Sequence, residues 1–154
     1  MLDGGASAPA CAHAIIGEAI QSRDSKRAGV FMYKCAIGYA GVYDIKADTA
    51  KDDNSKQNRS FFTRTRGDEA MQTEQSPLTH IKKLDVPMLL IHGKADHTAD
   101  FEQFQMADAA MKKAGKNYET LVKADEGHGF YRSKDVEEAY NRMKAFILKY
   151  NPPN

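Results

Sequence analysis

The sequence predicts an α/β fold built on a parallel sheet, and three observations carry that prediction. Residues 86–93 form a continuous apolar run closed by glycine, as suits a strand covered on both faces. Two stretches with helical spacing, about 101–114 and 135–149, alternate with apolar segments towards the carboxyl end. A strand–helix–strand–helix order implies right-handed crossovers, which make neighbouring strands parallel and gather functional groups at their carboxyl ends.

Taken in order, residues 9–21 read as a helix of small residues with Pro9 in its first turn, ended by the polar run 22–29. Cys35, Ile37 and Tyr39 suggest a buried strand over 34–39, followed by a turn at Gly41. Residues 46–75 hold few aliphatic side chains and read as a polar excursion, with 46–56 a solvated loop. After the strand at 86–93, Asp100 and Gln103 resemble a capping box, and Phe104, Ala107, Met111 and Ala114 continue at helical spacing until Gly115. Residues 118–122 form a short strand. Val136, Tyr140, Met143, Ile147 and Tyr150 then recur at steps of four and three, which predicts the last helix over 135–149. The 154 residues fit a single domain with about three recognisable strands, a partial or minimal version of the fold.

Composition narrows the function. Lys and Arg number 22 against 21 Asp and Glu, so a net charge of +1 supplies no basic field for nucleic acid. Apolar runs fall far short of the roughly 18 residues that cross a bilayer, and residues 1–9 lack the basic flank and apolar centre of a secretion signal. No membrane partner and a cytoplasmic location are therefore expected. Cys11 and Cys35 lack zinc-like spacing and are read as buried free thiols. His92 and His97, with Asp100, show no metal-ligand spacing either, so structural or surface roles are expected, with no metal and no cofactor.

The loops that follow two of the strands carry chemistry. One reads His92-Gly93-Lys94-Ala95-Asp96-His97 and the other Asp125-Glu126-Gly127-His128-Gly129-Phe130. A general base needs an imidazole that titrates near neutral pH and a carboxylate on its other nitrogen to hold the tautomer. Asp96 and His128 meet those two needs, and the glycines beside His128 let its loop bend sharply.

Ser76-Pro77-Leu78, the run from Val86 through His92-Gly93-Lys94-Ala95-Asp96, and Glu126-Gly127-His128-Gly129-Phe130 resemble the prolyl oligopeptidase family in order and spacing, over about residues 33–150. The resemblance implies an α/β-hydrolase fold, esterase or peptidase activity on a small ester or peptide, and a triad in the order Ser, Asp, His. Asp96 and His128 fall on two triad positions. Ser7, in Gly5-Ala6-Ser7-Ala8-Pro9-Ala10, falls on the nucleophile position, and the Ala8 N–H on that of one oxyanion donor. That segment departs from the family, because Pro9 and Ala10 replace two glycines of the nucleophile turn, and a helix N-cap or a disordered terminus is the competing reading of Ser7. The alternative function is a catalytically silent fragment or interaction module of the same fold. A sheet lacking its earlier strands also keeps an open edge, through which self-association is expected; a monomeric mass in light scattering would count against it.

Overall fold

The computed structural model describes residues 33–52, 61 and 64–153, together with the backbone of 12–13. Among the described residues four strands, β1 (Ala12–His13), β2 (Ala36–Tyr39), β3 (Met88–Gly93) and β4 (Tyr118–Lys123), make one sheet in that order, with every neighbouring pair parallel. The helices that position the sheet and its loops are α1 (Ile45–Asp52), α2 (Glu69–Gln75), a 3-10 helix (Pro77–Lys83), α3 (Phe101–Lys113) and α4 (Ser133–Tyr150). The parallel α/β architecture is as the sequence predicts.

The apolar run of β3 is explained by its position. Alternate side chains of a strand leave opposite faces, and here both faces are covered. Met88 and Leu90 pack with Tyr43, Phe104, Ala107 and Met111 on the α3 side. Leu89 and Ile91 pack with Phe130, Ala139, Met143 and Phe146 on the α4 side. Helices on both faces therefore bury β3 along its whole length, and the loop that follows it, from Lys94, is where the chain becomes accessible. No helix among the described residues is long and apolar enough to cross a membrane.

Several expectations are corrected. Ala12–His13 is extended and parallel to β2, inside the range read as a helix, because the edge of β2 offers backbone groups that need partners; the rest of 9–21 lies outside the described residues. The polar excursion contains α1 and α2, which announce themselves by caps rather than by periodicity. The Asp44 carboxylate accepts the Ala47 N–H at 2.9 Å, and that of Asp68 accepts the Met71 N–H at 2.9 Å. The Asp100–Gln103 capping box is not formed. The Asp100 carboxylate pairs with Lys51 at 2.7 Å instead.

In α4 the buried residues are Ala139, Met143 and Phe146, whereas Tyr140 and Ile147 face outward, so the stripe read from the sequence is rotated. A second stripe of equal spacing runs through small Ala139, which lets the helix lie close to the sheet. Cys35 is disulfide-bonded rather than the free thiol read from the sequence; Cys11 lies outside the described residues.

Gln103 joins α3 to the turn after β2. Its side-chain oxygen accepts the N–H groups of Tyr43 at 2.9 Å and Asp44 at 2.8 Å, and its NH2 donates to the Asp44 carbonyl at 3.0 Å. Gln103→Ala strands these backbone groups in a site from which water is largely excluded. The expected loss is roughly 3 kcal/mol, seen as a lower urea midpoint at unchanged slope.

Candidate active site

Two loops at the carboxyl ends of β3 and β4 form the site. The first begins at Gly93, where β3 ends beside Lys123 of β4. A Cβ built on Gly93 would lie 2.1 Å from the Glu126 carbonyl oxygen and 2.7 Å from that of Gly127, so only glycine allows the loops to approach this closely. Hydrogen bonds then lock them together, from Lys94 N–H to the Lys123 carbonyl at 2.8 Å and from Ala95 N–H to the Glu126 carbonyl at 2.9 Å.

Asp96 is buried at the bend of the first loop, and its two oxygens have separate tasks. Oδ1 accepts the N–H groups of Thr98 at 2.8 Å and Ala99 at 2.9 Å, which fixes the plane of the carboxylate. Oδ2 meets His128 Nδ1 at 3.1 Å. A carboxylate oxygen accepts, so Nδ1 donates, and the Nε2 lone pair is left without a partner among the described residues. The His128 side chain is 46% exposed and that of Asp96 wholly buried, so the pair presents an oriented imidazole to solvent on a buried anchor.

The second loop is held on three further sides. Gly127 and Gly129 bridge across His128, and Gly129 has φ +88°, which side-chain-bearing residues rarely adopt. The buried Glu126 carboxylate accepts the N–H groups of Tyr131 at 2.6 Å and Arg132 at 3.1 Å. From β2, the Tyr39 hydroxyl accepts the Phe130 N–H at 2.8 Å while its ring meets that of Phe130 edge-on at 5.2 Å. Burial pushes the Tyr39 hydroxyl above its ordinary pKa.

The structure thus brings Asp96 and His128 together as the sequence predicts. Ser7 and Ala8 lie outside the described residues. His97 is exposed, and no group of three metal-ligating side chains occurs among the described residues. Tyr39 and Glu126 were not singled out by the sequence, because their parts in the His128 loop depend on hydrogen bonds to backbone. Glu126 stood in the right motif, and its burial was the missing sign. His92 is completely buried, its ring beside the stacked pair Phe101 and Phe104, with each centroid 6.0 Å away.

Residues 30–152 match the model of the prolyl oligopeptidase family. Dipeptidyl peptidase 4 of Bos taurus is 27% identical over 131 residues, covering 78% of this chain and 15% of that protein. A putative carboxymethylenebutenolidase of Escherichia coli is 22% identical over 98 residues, covering 59% of this chain and 36% of its own length. The chain therefore spans well under half the length of these curated relatives. Among solved structures, a puromycin-hydrolyzing peptidase of Mycobacterium tuberculosis superposes with a TM-score of 0.68 at 24% identity, over 77% of this chain and 18% of that one. That likeness shows the shared fold.

Proposed function

The chain belongs to the prolyl oligopeptidase family, and from that premise we propose that it carries the aspartate and histidine of a serine hydrolase. Its substrates would be small carboxylic esters or peptides. The observation that supports this most is the 3.1 Å contact between a half-exposed His128 and a buried, fully hydrogen-bonded Asp96. In this reading the Ser7 hydroxyl attacks the carbonyl carbon, and His128 Nε2 takes its proton. Asp96 stabilises the imidazolium that forms. The Ala8 N–H faces the developing oxyanion, His128 returns the proton to the leaving group, and water releases the acyl group in a second cycle of the same steps.

A fluorophosphonate probe tests the nucleophile. Labelling of the parent chain that disappears in Ser7→Ala is the expected result, and labelling that survives in this variant would place the nucleophile at another residue.

One observation favours a second reading, in which the chain is a catalytically silent module. The strand beside β2, Ala12–His13, follows Ser7 in the sequence, whereas a nucleophile elbow follows its strand and precedes a helix. Absence of labelling in the folded parent chain would support that reading.

A further inference from the structure

We propose that His92, which takes no part in the chemistry above, is a positioning residue that keeps Asp96 aimed at His128. The inference rests on the Asp96–His128 reading and extends it to the buried end of β3.

His92 Nε2 lies 2.8 Å from the Ala99 carbonyl oxygen. A carbonyl only accepts, so the proton resides on Nε2 and the ring is held in one tautomer. Ala99 is thereby gripped through both of its backbone polar groups, its carbonyl by His92 and its N–H by Asp96 Oδ1 at 2.9 Å. Since Thr98 N–H binds the same Oδ1 at 2.8 Å, closing the loop against His92 fixes one carboxylate oxygen and leaves Oδ2 a single direction, towards His128. The same Nε2 stands 3.4 Å from Oδ2, placing the positive end of the N–H dipole beside the oxygen that His128 uses.

The cost of this arrangement shows on the other ring nitrogen. Among the described residues His92 Nδ1 has no hydrogen-bond partner, in a ring that is 0% exposed and packs against the stacked pair Phe101 and Phe104. A site serving packing alone would be filled better by an apolar side chain of similar size, since an unpaired buried polar atom destabilises the fold. A donor at Nε2 is what the histidine supplies there.

The experiment uses the full chain with 15N-labelled histidine. In the parent, ring nitrogen shifts should report a proton on His92 Nε2 and none on Nδ1; the reverse tautomer would overturn the inference without any variant being made. The low-field proton resonance of the His128 Nδ1–H bond is then compared in His92→Phe and His92→Gln. Loss or marked displacement of that line in His92→Phe, with recovery in His92→Gln, which retains an N–H near the same place, is the expected pattern. An unchanged line in folded His92→Phe would overturn the inference. Should His92→Phe fail to fold, the parent tautomer and the line in His92→Gln decide the matter, because a line lost there despite a retained donor also overturns it.

Hydrolysis adds a second readout. A fall in kcat of about a hundredfold with KM little changed is expected of His92→Phe, from misplacement of a reacting group. If the parent shows the low-field line but no turnover, the hydrolase reading fails while the positioning role stands.

Discussion

Asp96→Asn is expected to lower kcat for ester or peptide hydrolysis by about 10,000-fold while leaving the fold and KM nearly unchanged. The reason lies in the two tasks of the carboxylate. Oδ1 is bound by two backbone N–H donors, from Thr98 and Ala99. An amide at this position keeps its oxygen there, because turning it over would face NH2 against two N–H groups at hydrogen-bond distance, whereas in place of Oδ2 it opposes only the His92 Nε2–H, at 3.4 Å. The amide NH2 therefore occupies the place of Oδ2 and donates to His128 Nδ1. His128 then accepts on Nδ1 and carries its proton on Nε2, the nitrogen that has to be free to act as base. The side chains are nearly equal in size and the loop bonds persist, so circular dichroism and the urea midpoint should change little. A variant retaining the parent kcat would exclude Asp96 from the mechanism.

Gly93→Ala should damage both stability and rate. The added methyl carbon would stand 2.1 Å from the carbonyl oxygen of Glu126 and 2.4 Å from its carbonyl carbon, and both are backbone atoms that no rotamer change can move aside. The two loops must part, which strains or breaks the bond from Ala95 N–H to the Glu126 carbonyl. His128 lies two residues beyond Glu126, so it moves with that loop, whereas Asp96 stays with the end of β3. A loss of about 3 kcal/mol is expected from overpacking, read from urea unfolding. At temperatures where the variant remains folded, a kcat reduced by roughly a hundredfold is expected from displacement on the order of 1 Å. Parent-like stability and rate together would show that the loops do not meet as described.

How far the sequence reached depended on the range of the interactions involved. β3 was legible because both of its faces are buried, and that leaves an unbroken apolar run in the chain itself. α3 was legible from Phe104, Ala107 and Met111, whose spacing matches the face they bury. α1 and α2 were not, since their weak patterns give way to the single caps of Asp44 and Asp68, easily lost in a polar stretch. The capping-box reading of Asp100 and Gln103 failed because partners distant in sequence, Lys51 for one and the turn at Tyr43 and Asp44 for the other, compete for the same side chains. Extended Ala12–His13 likewise answers to the edge of β2 rather than to local helix preference.

The sequence by itself determined the parallel α/β class, the strand that anchors the site, and the two loops that carry Asp96 and His128. Those features follow from local periodicity and from residue types at fixed spacing, and both are written along the chain. Only the tertiary structure decided that Gly93 is the point where the loops touch, that Tyr39 and Glu126 hold the histidine loop, and that His92 stands buried behind Asp96. Each of these depends on groups far apart in sequence meeting at hydrogen-bond distance, such as the 91 positions between Tyr39 and Phe130. Packing two layers of helices against one sheet brings them together, and no pattern within a single segment encodes that geometry.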